Sequence, residues 1–108
     1  MVPSVDLFEE GDDVVLKAEL PGMEKGDIKV EVTGDAVTIS GEKKKEEKVQ
    51  EKDYYRMERS SGSFVRSLSL PSEVQSAKVK AKFADGVLEV RLPKTEEAKE
   101  RKKEVAVE

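Results

Sequence analysis

The fold is decided by the stretch KVKAKFADGVLEVRLP at residues 78–93. Apolar side chains alternate with lysines before the dipeptide Asp85-Gly86, and they alternate with charged residues after it as far as Pro93. An Asp-Gly dipeptide between two runs of this period is typical of a β-hairpin with a two-residue turn. The stretch therefore predicts two antiparallel strands that share one apolar face.

The same alternation recurs along the rest of the chain. Five further runs show it, at residues 5–7, 14–20, 28–32, 37–39 and 64–70. Pro21-Gly22 ends the second of these runs, and Gly34-Asp35 predicts another hairpin over residues 28–40. No convincing helix precedes residue 94. At least seven short strands, each with one apolar face to bury, predict an all-β fold, an antiparallel two-sheet β-sandwich.

The charged residues are concentrated in two segments. The chain has 108 residues, with 20 Lys and Arg against 24 Asp and Glu, and its net charge is −4. Residues 42–59 and 94–108 together hold 23 of these 44 charges and few apolar residues. They predict a long solvated excursion and a solvated tail, in which Glu97 and Arg101 support at most a fraying helix.

The residue types that are missing exclude several classes of site. The chain has no Cys, His or Trp, which excludes a disulfide framework, a thiolate metal site and histidine catalysis. It contains no phosphate-loop, GxGxxG or GxSxG motif. The carboxylate pairs Asp12-Asp13 and Glu46-Glu47 are typical of solvated turns. We therefore expect no enzyme activity, no cofactor, no metal and no small-molecule substrate.

Charge and hydropathy also exclude two classes of partner. No block has the basic excess that phosphate binding needs, and the whole chain is acidic, so we expect no nucleic-acid binding. No apolar run approaches the roughly 20 residues of a membrane span, and no targeting pattern follows Met1. The sequence therefore predicts a cytoplasmic protein.

Arg66 conflicts with the pattern of its strand. Its parity places it with Phe64, Leu68 and Leu70 on the apolar face. An inward guanidinium must be paired or must meet another chain, because an unpaired buried charge is very costly. Either Arg66 forms an ion pair at a homodimer interface, or a phase slip near Val65 turns it outward.

Val105 and Val107 form an isolated apolar pair at the end of the charged tail. In an extended segment both would project from one side, as pegs for a neighbouring groove. The linker from Lys94 to Glu104 could span roughly 35 Å, enough to reach another subunit. Burying two valines is worth about 3–6 kcal/mol before the tail is ordered, so such a contact would be reversible. The alternative is that both valines are incidental.

The sequence resembles the small heat-shock proteins, the alpha-crystallin-domain chaperones of bacterial and archaeal type. The resemblance runs from about Pro3 to Pro93 and through the tail. The elements that carry it, in order and at family spacing, are Pro3-x-Val5-Asp6-Leu7, Ala18-Glu19-Leu20-Pro21-Gly22, Gly41-Glu42-Lys43, Glu58-Arg59, Gly62-x-Phe64-x-Arg66, Leu70-Pro71, Ala81-x-x-x-Asp85-Gly86-Val87-Leu88 and Leu92-Pro93-Lys94. Of these elements, the family's strongest signature is Ala81-x-x-x-Asp85-Gly86-Val87-Leu88.

The resemblance implies an immunoglobulin-like sandwich over residues 1–93 and a flexible C-terminal extension over 94–108. It also implies homodimers formed by strand exchange, in which part of the 42–59 excursion pairs with the partner's N-terminal strand. The dimer contacts it implies are Val5, Asp6, Leu7, Asp53, Tyr54, Tyr55, Arg56 and Arg66. Val105 and Val107 match the family's C-terminal anchor. The anchor and client groove it implies is lined by Val30, Val32, Val79, Ala81 and Phe83.

The function that the resemblance implies is an ATP-independent holdase, which binds partly unfolded client proteins and associates with itself. Two alternatives stay open: an adaptor similar to the monomeric CS-domain co-chaperones, and a structural oligomerisation core. A carbohydrate-binding module is remote, since the chain has 3 Phe, 2 Tyr and no Trp. The domain begins almost at Met1, without the family's usual hydrophobic arm, so the chain is either a truncated form or an armless member. Large-oligomer assembly and full client capacity are therefore left open.

Overall fold

A computed structural model describes residues 2–43, 62–101 and 105–108. In this part of the chain it contains seven β-strands and one short α-helix. In chain order these are β1 (Ser4–Glu10), β2 (Asp13–Glu19), β3 (Ile28–Val32), β4 (Ala36–Lys43), β5 (Gly62–Ser69), β6 (Lys80–Ala84), β7 (Val87–Pro93) and α1 (Glu96–Glu100). Single 3₁₀ turns at Lys25–Asp27 and Ser76–Lys78 precede β3 and β6.

The strands form two antiparallel sheets. The order is β1-β2-β7-β6 in the four-stranded sheet and β3-β4-β5 in the three-stranded sheet. The inward-facing positions of both sheets form one apolar core: Val14, Leu16, Ala18, Leu20, Met23, Val37, Ile39, Phe64, Val74, Leu88, Val90 and Leu92. The chain is therefore an immunoglobulin-like all-β sandwich, as the alternation of the sequence and its resemblance predicted.

Both predicted hairpins are confirmed by their turns. Ala84 pairs with Val87 across the β6–β7 turn, and Asp85 and Gly86 take φ values of 53° and 77°. Asp-Gly suits this turn because both central residues need a positive φ, which Gly adopts freely and Asp tolerates. At the β3–β4 turn the N–H of Thr33 donates to the carbonyl of Ala36 at 2.9 Å, which leaves two residues at the tip.

Phe8 interrupts the alternation of β1 for a reason that only the register shows. Its cross-strand partner is Val15, whose own partner on β7 is Arg91. The three side chains therefore lie on the outer face of the four-stranded sheet, and Val15 is completely buried there. The alternation of residues 14–20 predicts Val15 on the solvated face with Lys17 and Glu19, and this prediction of exposure is wrong because the cross-strand neighbours of Val15 cover it.

The solvated tail that the sequence predicted from residue 94 does not begin there. Lys94 is 4% exposed and Ala98 is 8% exposed. The Oγ1 of Thr95 accepts a hydrogen bond from the N–H of Ala98 at 3.1 Å, which caps α1. The predicted pair between Glu97 and Arg101 is present at 3.7 Å. The prediction of a solvated tail was wrong for residues 94–98. Their burial depends on hydrogen bonds and one ion pair, and such contacts produce no apolar pattern in the sequence.

Candidate functional site

An open groove lies between the edge strands of the two sheets, β3 and β6. Its volume is about 340 Å³. Its lining consists of Lys25, Ile28, Val30, Ala81, Lys82, Phe83 and Leu88. Ala81 is exposed although its cross-strand partner, Val90, is completely buried in the core. The groove is therefore a largely apolar surface, bordered by Lys25 and Lys82, that the chain's described residues leave uncovered.

Three of the five residues predicted to line a groove lie in this lining, namely Val30, Ala81 and Phe83. Val32 and Val79 are half-buried against the core instead and are not in the lining. Ile28 was missed, although it precedes Val30 by two residues and so faces the same side of β3. Leu88 was predicted only as a residue of the family signature and not as part of a groove. Lys25 reaches the groove through the 3₁₀ turn before β3, and no sequence pattern predicts that turn.

The outer face of the four-stranded sheet carries a network of ion pairs. Arg91 contacts three carboxylates, those of Glu10 at 3.4 Å, Asp13 at 3.4 Å and Glu89 at 3.6 Å. The hydrogen bond with Glu10 is the main cause that raises the pKa of Arg91. Glu89 also lies 3.8 Å from Lys17 and 3.7 Å from Lys82. This face is charged on all four strands, so an apolar segment is better accommodated in the groove.

The opposite side of the sandwich is bordered by the other two edge strands, β1 and β5. Val5 and Leu7 of β1 are partly buried and pack against the core, whereas Asp6 is exposed. The β1–β2 register is continuous from Ser4 to Glu10, and no other strand of the described residues pairs with the outer edge of β1. That edge therefore presents a row of backbone groups to which another strand could be added.

Arg66 lies on the inward-facing side of β5 and is nevertheless exposed. The β4–β5 register runs without a bulge and pairs Arg66 with Ile39, which is completely buried. Cross-strand partners share a sheet face, so the phase slip near Val65 is ruled out. Within the part of the chain that the structure describes, Arg66 forms no ion pair. Its exposure follows from its place on an edge strand at the open side.

The remaining predicted site residues fall into two groups. Val105 and Val107 are 74% and 98% exposed, and neither belongs to the lining of the groove. Asp53, Tyr54, Tyr55 and Arg56 lie outside the described residues. The described residues contain no cluster of three carboxylates placed to share a metal ion. Among them there is also no helix of the length and apolar character needed to cross a membrane.

The residues of the family signature lie in the β6–β7 hairpin. Asp85 and Gly86 form the β6–β7 turn, and the carbonyl of Gly86 accepts a hydrogen bond from the N–H of Leu20 at 2.7 Å. Leu88 is 3% exposed, whereas Val87 is 37% exposed on the opposite face of β7. The signature thus holds the hairpin that forms one wall of the groove, of which Ala81 is part.

Comparison with known proteins gives the same family from sequence and from structure. Residues 6–108 match the Hsp20/alpha crystallin family. A 17.8 kDa class I heat shock protein of Arabidopsis thaliana is 46% identical over 98 residues, which are 90% of this chain and 62% of that protein. The small heat shock protein C2 of Rickettsia felis is 36% identical over 105 residues, which are 97% of this chain and 68% of that protein. The chain thus spans less than two thirds of the plant relative's length.

Among solved structures, a small heat-shock protein from Xylella fastidiosa superposes with a TM-score of 0.70. The two are 36% identical, and the match covers 99% of this chain and 98% of that one. The family match over nearly the whole chain, the relatives and the shared sandwich agree. This chain belongs to the Hsp20/alpha crystallin family, the small heat-shock proteins.

Proposed function

We propose that the chain is an ATP-independent holdase, which binds partly unfolded proteins, prevents their aggregation and catalyses no reaction. The observation that carries the proposal is the open groove between β3 and β6, whose apolar lining includes the exposed Ala81. Two sheet edges with apolar side chains between them suit an extended apolar segment, which can add main-chain hydrogen bonds to side-chain burial. Partly unfolded proteins expose such segments.

The charges around the groove support the same function. The ion pairs of Arg91 and Glu89 cover the outer face of the four-stranded sheet, and the net charge is −4. A surface with both signs interspersed keeps a complex with an apolar client in solution. The groove is thus the place where a client binds, and the outer face is the place where solvation is retained.

Self-association is the second part of the proposal. Dimers would form where β1 offers its free edge and β5 offers Arg66, with the excursion over residues 42–59 crossing to the partner. Val105 and Val107 would dock in the groove of another subunit. The exposure of both valines and of Arg66 supports this arrangement, because among the described residues none of the three has a contact of the kind that a second copy would supply. The Xylella fastidiosa relative is described as having a distinct high order structure.

Light scattering from a heat-labile client, with no ATP added, tests the holdase function. We expect wild type at an equimolar ratio of dimer to client to lower the scattering. If the scattering is unchanged at that ratio, the chain is not a holdase on its own.

A pair of variants on β6 tests whether the groove is the client site. Ala81→Asp places a charge in the groove, whereas Ala84→Asp places the same charge on an exposed residue of the same strand, outside the groove lining. We expect Ala81→Asp to lose most of the protection and Ala84→Asp to keep it, because a carboxylate must be desolvated when an apolar segment docks. Equal protection by both variants contradicts the assignment of the groove.

A further inference from the structure

Lys94, the first residue of the C-terminal extension, is buried, which is unusual for a lysine. Lys94 is 4% exposed, and its Nζ lies 3.0 Å from the Oε1 of Glu9. The same oxygen accepts a hydrogen bond from the Oγ of Ser72 at 3.1 Å. A buried ammonium without a counter-charge is very costly. The position of Lys94 therefore depends on Glu9, which lies next to the last residue of β1.

The backbone of Lys94 and Thr95 is hydrogen-bonded to two other segments, the β1–β2 turn and the segment after β5. The N–H of Lys94 donates to the carbonyl of Asp12 at 2.9 Å, and the side-chain amide of Gln75 donates to the carbonyl of Lys94 at 2.9 Å. The N–H of Thr95 donates to the carbonyl of Glu73 at 3.0 Å. The extension thus leaves the domain in a direction that these hydrogen bonds set.

Beyond this point the attachment is loose. The helix α1 has five residues, too few to be stable alone, and within it only Ala98 is buried. A cavity of about 320 Å³ separates it from the domain, between Ala98 and Arg101 on one side and Glu9 and Pro71 on the other. Residues 95–101 therefore stay on the domain only while the segment before them is held.

We propose that the Lys94–Glu9 ion pair is a latch that holds residues 94–101 on the domain and so sets how far Val105 and Val107 reach. With the latch closed, Arg101 is held on the domain and Val105 lies four steps further along the chain, a distance of at most about 13 Å. With the latch open, the backbone hydrogen bonds of Lys94 and Thr95 still mark the start of the released segment, and Val105 lies ten steps beyond Thr95, an extended distance of about 33 Å. The inference rests on the proposed function in one respect: the valines dock in another subunit.

The latch also joins the two contacts that the chain is proposed to make with other subunits. Glu9 belongs to β1, the strand that is proposed to pair with a partner subunit. Lys94 begins the segment that carries the anchor valines. A displacement of the end of β1 moves Glu9 away from Lys94 and opens the latch.

Hydrogen–deuterium exchange of the full chain, followed by mass spectrometry over residues 94–101, tests the latch directly. Glu9→Gln keeps the shape of the side chain and removes its charge, and Glu96→Gln is the matched control, since Glu96 pairs with Lys99 at 3.1 Å at an exposed site. We expect exchange in this segment to rise by roughly tenfold in Glu9→Gln, because a hydrogen bond to a charged group is lost at a buried cation. We expect less than about a twofold change in Glu96→Gln. Equal exchange in the two variants overturns the latch.

Lys94→Asn is the second variant, because it leaves β1 and its proposed dimer contacts unchanged. It removes the stem and charge that reach Glu9, so we expect the same increase in exchange as in Glu9→Gln. Wild-type exchange in Lys94→Asn overturns the latch even if Glu9→Gln unfolds. Circular dichroism distinguishes local opening, which keeps the strand signal, from loss of the sandwich.

Native mass spectrometry of the same variants tests the effect on reach. We expect Glu9→Gln to change the distribution of subunit numbers and Glu96→Gln to leave it as in wild type. If exchange rises in Glu9→Gln while the distribution is unchanged, the role in tail reach is overturned. Val105→Ala with Val107→Ala separates the two proposals. If this variant has the wild-type distribution, tail docking is absent and the role in reach fails with it, whereas the exchange result still decides whether the latch exists.

Discussion

The side of the sandwich formed by β3 and β6 presents an apolar groove, whereas the side formed by β1 and β5 presents the exposed guanidinium of Arg66 at an inward-facing position. The first side lacks only small apolar contacts, such as two valines could supply. Among the described residues, no strand pairs with the outer edge of β1 and no carboxylate pairs with Arg66. The difference suggests a reversible contact at the groove and a more lasting one at the β1 edge, because main-chain pairing and a desolvated ion pair exceed what two valines contribute.

The largest expected effect is the loss of the dimer on substitution of Arg66 by Ala. Removing one partner of a buried interfacial charge pair costs about 2–5 kcal/mol, so the dimer dissociation constant should rise at least about thirtyfold. The folded subunit should be unaffected, because Arg66 is exposed and has no ion pair among the described residues of its own chain. Sedimentation equilibrium across protein concentration measures the change.

Lys80→Ala serves as the control for this prediction, since it removes an exposed cation from β6 on the groove side. A dissociation constant that is equal in Arg66→Ala, Lys80→Ala and wild type would show that the β1–β5 side carries no charge-dependent contact.

The next largest effect concerns the groove. Val105→Ala with Val107→Ala removes four methylene equivalents, worth about 3 kcal/mol if both valines are buried on docking. We expect the oligomer to fall to a dimer on size-exclusion chromatography with light scattering. The melting temperature should not change, because the two valines are 74% and 98% exposed in the isolated chain.

Ala106→Ser is the matched control, since Ala106 lies between the two valines and is exposed as well. If wild type and the double variant elute identically and both as dimers, the anchor is idle in this chain.

The smallest effect is expected at the exposed ion pair between Lys82 and Glu89. Lys82 pairs with Glu89 at 3.7 Å, and its side chain is 77% exposed. Exposed ion pairs contribute about 0–1 kcal/mol, so Lys82→Ala should lower the free energy of unfolding by less than about 1 kcal/mol in urea denaturation. It should leave oligomer size as in wild type. A decrease in the free energy of unfolding well above about 1 kcal/mol in this variant would contradict the treatment of this pair as an exposed one.

The sequence predicted what depends on local pattern. The period of two assigned the strands, and the Asp85-Gly86 and Gly34-Asp35 pairs located two hairpin turns. At Asp85-Gly86 the reason is that both central residues take a positive φ. Parity also placed Arg66 on the inward face of its strand. It could not show that this side chain is exposed, since that follows from the place of β5 at an edge of its sheet.

The residues that the sequence missed depend on contacts between distant parts of the chain. Lys94 is in a charged tail and reads as solvated, yet it is buried through Glu9, far along the sequence. Val15 reads as outward-facing, yet Phe8 and Arg91 flank it in the register. In the groove, Ile28 could have been predicted from its spacing to Val30, whereas Lys25 depends on the path of a 3₁₀ turn.

The most direct test of the account is whether the tail of one subunit enters the groove of another. The chain has no cysteine, so single cysteines can be placed without background. Isotope-labelled Val107→Cys is mixed with unlabelled Ala81→Cys or with unlabelled Ala84→Cys under mild oxidation, and the mixed disulfide is counted by mass. We predict that the mixed species, close to twice 12.0 kDa, forms with Ala81→Cys in large excess over Ala84→Cys. Equal yields from the two partners would contradict docking in the groove.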